Sequence, residues 1–359
     1  MNIIMATDFH LKNEEPFFKA GVALDNYILD HLKNQKDPFV FLDGGDHFHV
    51  SKETGRVNGE VSRFFIEMAE MTLCESILIM QGNHDVKEET GSALDAVRGL
   101  HPKIAIIDEP SLISCYVDNH PPLFIYLLPH VQPYSIPGYS SIKSYGEENF
   151  HQSFWENKGL NWGDIKPRIK MVSLHGGDET AGKLFMNADI SFLPGARSNG
   201  HVHKQISKNH LPSVSITRRD EIDKKCFIRR IDAGGWSAAD VEIPLFLNYA
   251  QISYGEDIDK YFESGIHTLP KESLIVDIYG HDDINLVAAE YAEKWADRQN
   301  PKLYVGEVAP VERKGGAAVM EERNELDISS INIKGLFLEF CEEKKLAKAI
   351  ADDLTARLE

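Results

Sequence analysis

Five short stretches of the chain each join an apolar run to side chains that bind metal ions. They read IIMATDFH, FVFLDGGDHFH, SILIMQGNHD, KMVSLHGG and NGHVHK, in that order along 359 residues. Carboxylate, imidazole and amide oxygen donors together form a mixed site that suits Mn²⁺, Fe or Zn better than Ca²⁺. The candidate donors and their polar neighbours are Asp8, His10, Asp46, His49, Asn83, His84, Asp85, His175, His201 and His203.

The chemistry open to such a set is metal-assisted hydrolysis. Two divalent ions about 3.5–4 Å apart can clamp a phosphodiester and activate water for attack on phosphorus. A single D-x-H motif carries little information. Five motifs in series, each after its own apolar run, are hard to explain as satisfied polar groups of a core. We therefore predict that these donors gather around bound metal.

The elements that position these donors are predicted to be the strands of an α/β fold. Amphipathic periodicity predicts helices at 17–33 and near 59–71, between the first strands. In open α/β sheets the strand ends border the crevice where ligands bind. Glycines at positions 45, 82, 176 and 200 permit sharp turns there. Strands are predicted at residues 3–6, 39–42, 76–80, 103–107, 123–128, 169–174 and 190–193.

The five motifs resemble those of the calcineurin-like metallophosphoesterases, whose blocks run D-x-H, G-D, G-N-H, an isolated H, and G-H-x-H. Their order and local sequence are similar to those of SbcD-type DNA nucleases, the partners of SbcC-type ATPases. GDHFH, GNHD and the later segment PSVSITRRDEIDKKCF carry this second likeness. The resemblance covers about residues 1–230. It implies a metallophosphoesterase β-sandwich flanked by helices.

The resemblance also implies how the ligands divide between two ions, which it identifies as Mn²⁺. It assigns Asp8, His10 and His203 to one ion. It assigns Asn83, His175 and His201 to the other. Asp46 then bridges the two ions.

Four further residues receive roles. His84 is not a ligand, so it is free to protonate the leaving sugar oxygen or to stabilise developing charge. Asp85 is expected to orient the His84 imidazole. The resemblance suggests that His49 contacts the substrate phosphate, and the alternative is that it hydrogen-bonds a ligand. Arg218 either contacts a DNA backbone or pairs with a neighbouring carboxylate.

The remaining polar residues near the motifs receive structural roles. Asp43 is expected to cap a turn and His47 to be exposed. Eight other histidines lie in no comparable motif, so surface or structural roles are expected for His31, His101, His120, His130, His151, His210, His267 and His281.

Composition limits the partners and the compartment. The net charge is −18, which argues against a chain that binds nucleic acid through its own basic surface. Bound cations, or a partner that supplies basic surface, would reconcile this acidity with a DNA substrate. The four cysteines lie far apart and no signal peptide or long apolar segment is evident, so we expect a cytoplasmic protein without membrane contact.

Changes in the composition and pattern of the sequence predict four regions of the chain. Residues 1–240 form the metallophosphoesterase domain, 241–308 a small α+β capping domain, 309–333 a linker, and 334–359 an amphipathic helix. The resemblance implies that this helix binds the SbcC-type ATPase and that the chain forms a homodimer. Alternatively, the helix folds back on its own domain.

Three functions remain open from the sequence. The resemblance implies a DNA nuclease with 3′→5′ exonuclease and single-strand endonuclease activity, acting in DNA repair, recombination or replication. The second is a metallophosphoesterase acting on small phosphodiesters, cyclic nucleotides or phosphoproteins. Phosphoprotein phosphatases of this class carry G-D-x-V-D-R-G and G-N-H-E, which this chain lacks. The third is a scaffold without activity, which would be expected to have lost ligands.

Overall fold

The chain has fifteen strands and four helices among its described residues, all within one compact unit, Met1–Pro310. The computed structural model describes residues 1–14, 17–50, 54–87, 91–115, 123–131, 142–181, 187–203, 206–215, 225–253, 273–280 and 303–310. The helices are α1 (Phe17–Lys33), α2 (Gly55–Ala69), α3 (Glu148–Asn157) and α4 (Trp162–Ile165). The strands are β1 (Asn2–Ala6), β2 (Phe39–Asp43), β3 (Cys74–Met80), β4 (Val86–Lys87), β5 (Gly91–Ser92), β6 (Ile104–Ile107), β7 (Ser111–Cys115), β8 (Leu123–Leu128), β9 (Ile169–Leu174), β10 (Ala196–Arg197), β11 (Cys226–Asp232), β12 (Ser237–Ile243), β13 (Leu247–Ser253), β14 (Ser273–Gly280) and β15 (Leu303–Pro310).

The first sheet has six strands in the order β12-β11-β1-β2-β3-β6. Neighbours among β1, β2, β3 and β6 run parallel, with Ile4 opposite Phe41 and Leu42 opposite Leu78. Strands β11 and β12 add an antiparallel edge. The carboxyl ends of β1, β2 and β3 therefore lie at one edge of this sheet.

The second sheet has four strands in the order β10-β9-β8-β7. Strands β8 and β9 run parallel, with Leu128 opposite Leu174, so their carboxyl ends also lie together. The short β10 runs parallel to β9, and β7 is antiparallel to β8.

The two sheets pack face to face, and helices cover their outer faces. Alternate residues of β1 separate the two cores: Ile3 and Met5 lie between the sheets, whereas Ile4 and Ala6 face α1 and α2. Helices α3 and α4 pack on the second sheet through a further core that includes Trp155. Burial on both faces explains the continuous apolar runs of the parallel strands. The predicted α/β sandwich flanked by helices is confirmed.

The two helices predicted between the first strands are present, and one of them begins earlier than predicted. Helix α1 has the predicted bounds and buries Leu24, Ile28 and Leu32 at intervals of four residues. Helix α2 begins four residues before the predicted start, where the side chain of Thr54 accepts a hydrogen bond from the backbone N–H of Val57.

Other predictions need correction. Residues 190–193 form no strand, and Ile190 and Leu193 instead fill the core beneath the second sheet. Strands β7, β11 and β12 were not predicted. In β12, six of seven residues are exposed or half-buried, so an apolar pattern that would mark a strand is missing.

Strands β13, β14 and β15 form a separate parallel sheet in the region of the predicted capping domain. The bounds of that domain stay a prediction. The predicted linker spans 309–333; its residues 309 and 310 belong to β15, and the rest of it and the helix at 334–359 lie outside the described residues.

None of the described helices is both long and apolar enough to cross a membrane. Cys74, Cys115 and Cys226 are buried free thiols.

Candidate metal centre

The turns after β1, β2 and β3 carry the first candidate metal ligands, and hydrogen bonds join these turns to one another. The backbone N–H of Asp8 donates to the carbonyl of Gly45 (2.9 Å), and that of His10 donates to the carbonyl of Asp46 (3.0 Å). From the second sheet, His175 follows β9 directly and its N–H donates to the carbonyl of Leu128 (3.0 Å). Both sheets thus deliver side chains to one crevice, as expected for parallel strand ends.

Asp8, His10 and His203 form a first group of ligand atoms that all lie within 4.8 Å of one another. The Nε2 atoms of His10 and His203 are 3.0 Å apart, and each is 3.8 Å from Oδ1 of Asp8. Asp8 and His10 are buried. Burial lowers the pKa of His10 well below its ordinary value, which favours the neutral imidazole that binds metal.

Asp46, His175 and His201 form a second group within the same 4.8 Å limit. Nε2 of His175 lies 3.2 Å from Oδ2 of Asp46 and 3.1 Å from Oδ1 of Asn83. Burial, followed by the nearby His175, lowers the pKa of His201 to about 4, so this imidazole is neutral near pH 7.

Asp46 lies between the two groups. Its Oδ2 is 3.2 Å from Nε2 of His175 and 3.9 Å from Nε2 of His10. Its Oδ1 accepts a hydrogen bond from the backbone N–H of His84 (2.7 Å). Burial opposes ionisation of Asp46, but His175, His10 and the backbone N–H of His84 together outweigh burial and hold the pKa of this carboxyl below its usual range. Asp46 is therefore an ionised carboxylate with one oxygen facing both groups.

The donor set fits divalent cations. Nδ1 of His175 donates to the carbonyl of Gly44 (2.8 Å), which directs Nε2 toward the oxygens of Asp46 and Asn83. Burial alone would lower the pKa of His175, but Asp46 outweighs it and raises the pKa to about 10. The surroundings of His175 therefore favour a positive charge. When the imidazole is neutral, a metal cation bound to Nε2 and the nearby oxygens supplies that charge.

Four of the predicted ligands have strained backbones. Asp8, His10, Asp46 and His201 have φ values of 58°, 46°, 56° and 75°, and Trp236 is the one other described non-glycine residue with positive φ. Such conformations cost of order 1–3 kcal/mol each and persist where the surrounding structure enforces them. Four of the five such residues in the described part of the chain thus lie at this one crevice.

At two positions of the centre, neighbouring atoms lie so close to the backbone that only glycine fits. A Cβ atom on Gly82 would collide with the side chain and backbone of Asp46. A Cβ atom on Gly200 would collide with Oγ1 of Thr7, next to Asp8. Both positions let the turns that carry Asn83 and His201 approach the ligands of the other strands.

His84 lies beside the first group, with its ring 4.8 Å from that of His10 and perpendicular to it. Its Nδ1 donates to the carbonyl oxygen of His49 (2.6 Å), so Nε2 is the atom left to reach a substrate. The carboxylate of Asp85 does not hold this ring. It accepts backbone N–H bonds from Asp46 (2.9 Å), Gly82 (2.8 Å) and Phe48 (3.1 Å).

This arrangement corrects the role expected for Asp85. Consecutive side chains in the turn after β3 point in different directions, and Asp85 points into the protein behind Asp46. Burial, with the charge of Asp46, raises the pKa of Asp85 to about 7 and outweighs the N–H bonds that favour its ionised form. Asp85 therefore fixes the backbone of Asp46, and the carbonyl of His49 orients His84.

His10, His49 and His84 form a third group of closely spaced ligand atoms. The rings of His49 and His84 stack 5.5 Å apart at 18°. Burial, then the charge of Lys12, lowers the pKa of His49 to about 4. Phosphate contact by His49 stays a prediction.

The structure also shows where Asp43 and His47 lie, two polar residues of the same motif as His49. Asp43 accepts from the backbone N–H of Gly45 (3.0 Å) and from Nδ1 of His47 (2.6 Å), in agreement with a turn-capping role. His47 was expected to be exposed, but it is fully buried and stacks on Phe9 with ring centroids 4.3 Å apart. Arg218 lies outside the described residues.

Asp178 is a buried carboxylate that sequence reasoning missed. It lies three residues after His175, and its Oδ2 accepts from the amides of Asn199 (3.0 Å) and Asn209 (3.1 Å). Its Oδ1 accepts from the hydroxyl of Thr180 (2.6 Å). Asp178 thereby ties the turn after His175 to the segments on both sides of His201. The local sequence HGGD contained the residue but no sign of these distant partners.

No protein-family model matches the chain, and the search of curated proteins gave no match. Among solved structures, the chain is similar to an archaeal phosphodiesterase at 12% identity and a TM-score of 0.33. The match covers 68% of this chain and 100% of that one. A likeness of this degree has no bearing on function.

Proposed function

We propose that this protein is a two-ion phosphodiester hydrolase that acts on DNA. The observation that carries the proposal is the position of Asp46, whose Oδ2 lies 3.2 Å from His175 and 3.9 Å from His10, each a member of a separate ligand group. Seven side chains would hold the ions, and Mn²⁺ is the expected metal: Asp8, His10, Asp46, Asn83, His175, His201 and His203.

Bound cations would supply Lewis-acid stabilisation of a phosphodiester and an activated water. The chain's own contribution is positional. Backbone bonds between turns hold the ligands of the first sheet, and His175 brings the second sheet to the same point. The hydrogen bond from Nδ1 of His84 to the carbonyl of His49 leaves Nε2 for the substrate, and in the imidazolium form Nε2 can donate its proton to a leaving oxygen, which leaves the neutral ring.

The DNA specificity rests on the motif resemblance and not on the geometry of the centre. The alternative is a hydrolase of small phosphodiesters or cyclic nucleotides, which would use the same ligands. A scaffold without activity is disfavoured because all seven expected ligand positions are filled and brought together.

The experiment is hydrolysis by purified protein with Mn²⁺ of linear DNA and, in parallel, of a small chromogenic diester. We expect both to be cleaved, and chelation to abolish both reactions. His84→Ala is expected to abolish cleavage while leaving the number of bound ions unchanged. Cleavage of the small diester without DNA degradation would favour the alternative, and no hydrolysis under any metal would refute the proposal.

The proposal includes an SbcC-type ATPase partner, bound through residues 334–359, a homodimer, and a cytoplasmic location. The measurement is co-purification with a co-expressed ATPase of this type. Deletion of residues 326–359 should abolish co-purification but spare hydrolysis of the small diester. Unchanged co-purification after the deletion would remove the tail from this role.

A further inference from the structure

His130 is a half-buried histidine at the crevice that no motif marks. It follows β8 by two residues, and β8 runs parallel to β9, the strand that ends at His175. The backbone N–H of His130 donates to the carbonyl of Gln81 (2.8 Å), and Nε2 of Gln81 donates to the carbonyl of His130 (2.9 Å). His130 is thus fixed between the end of the second sheet and the turn that carries Asn83.

The electrostatic surroundings of His130 are those of the metal centre. Burial lowers its pKa to about 4, and the next contributions come from His175, Asp46 and His84. The backbone agrees with this: the N–H of His175 donates to the carbonyl of Leu128 (3.0 Å), two residues before His130, so His130 and His175 lie at the same end of the second sheet. Within the described residues, His130 belongs to none of the three groups of possible metal ligands.

A neutral imidazole in this place is suited to one task. It carries one N–H donor and adds no positive charge beside a cation centre. A phosphate bound to that centre has oxygen atoms that need donors, and His84 lies beside the His10 group. His130 follows Leu128, whose carbonyl accepts from the backbone N–H of His175, and so lies on the side of the second group.

We propose that His130 is a substrate-binding residue that donates a hydrogen bond to a phosphate oxygen of the diester. This inference rests on the proposed function. A hydrogen bond to a charged group is worth a 10- to 100-fold change in affinity, roughly. His130→Ala should therefore weaken binding of inorganic phosphate to the Mn²⁺-loaded protein about tenfold or more, and raise KM for a diester with a smaller effect on kcat.

The test uses three variants of the full chain. His130→Gln keeps an N–H donor and should recover part of the lost affinity. His101→Ala is the control, because His101 precedes the amino end of β6, at the opposite edge of the sheet. Ion content and the unfolding temperature are measured for each variant, so that a purely structural effect is detected.

The outcomes separate this inference from the proposed function. Phosphate affinity is measured by calorimetry and needs no turnover, so an inactive protein would refute the proposed function and still test His130. Wild-type phosphate affinity in His130→Ala would overturn the inference. Weaker binding accompanied by loss of ions or of stability would also overturn it, because His130 would then be structural.

Discussion

The Nε2 atoms of His10 and His203 lie 3.0 Å apart although 193 positions separate the two residues. Each also lies 3.8 Å from Oδ1 of Asp8. Three donor atoms from the first and last motifs of the described chain thus converge on one point, which is the arrangement that a bound cation requires.

The division of ligands predicts separable losses of metal. His203→Ala should remove one ion and spare the other, and His201→Ala should do the same for the opposite ion. Asp46→Asn should weaken both, because its carboxylate lies between the groups. Metal analysis after dialysis gives the ion count, and Mn²⁺ electron paramagnetic resonance reports whether two ions are coupled. Equal loss of both ions in all three variants would contradict the division.

Asp85→Asn distinguishes the observed role of this carboxylate from the one expected from sequence. The amide has one oxygen for three backbone N–H donors, so at least one donor loses its partner at a cost of about 1–3 kcal/mol. We expect lower stability to urea and weaker Mn²⁺ binding. If Asp85 instead oriented His84, turnover would fall with metal affinity unchanged.

Asp178→Asn should loosen the turns that carry His175 and His201. Its side-chain amide would face the amides of Asn199 and Asn209, so the bonds to these donors are lost. We expect the unfolding free energy to fall by about 2 kcal/mol and the second group to lose Mn²⁺ affinity more than the first. Asp189→Asn, at an exposed carboxylate four residues before Leu193, is the matched control. Equal Mn²⁺ titration curves for the two variants would remove Asp178 from ligand positioning.

Asp25 predicts a dependence of stability on pH that is independent of the metal centre. It is fully buried, its Oδ2 has no hydrogen-bond partner among the described residues, and burial raises its pKa to about 7 from 3.8. Between these pH values the native state keeps a proton that the unfolded state has lost. Asp25 therefore lowers the free energy of unfolding as the pH rises from about 4 to about 7.

Asp25→Asn removes this titration. Relative to wild type, the variant should gain about 1–3 kcal/mol at pH 8 and little at pH 4. Urea unfolding of metal-free protein at both pH values measures the difference. Asp30→Asn, on an exposed position of the same helix, should show no such trend. A stability difference that is the same at both pH values would rule out titration of Asp25.

The sequence allowed most of the fold and the clustering of the candidate ligands to be predicted, for physical reasons visible in particular residues. Apolar runs such as residues 39–42 are buried on both faces, which makes parallel strands conspicuous. Asp8, Asn83 and His175 lie within three residues of the ends of such runs, so their position at the crevice follows from topology. Strand β12 escaped prediction because it is mainly exposed.

The roles that were predicted wrongly depend on the direction in which a side chain points and on contacts with residues distant in the chain. The spacing of residues along the sequence encodes neither. Asp85 follows His84 in the chain but bonds to the backbone of Asp46 and Phe48 instead. His47 lies between two residues of the crevice, yet its ring turns inward to stack on Phe9. His130 lies at the same end of the second sheet as His175 because β8 and β9 run parallel.

Anomalous diffraction from a crystal soaked in manganese tests the two-ion centre most directly. We predict two peaks about 3.5–4 Å apart on either side of Asp46, one with Asp8, His10 and His203 and the other with Asn83, His175 and His201. A single peak, or manganese bound away from these side chains, would contradict the account.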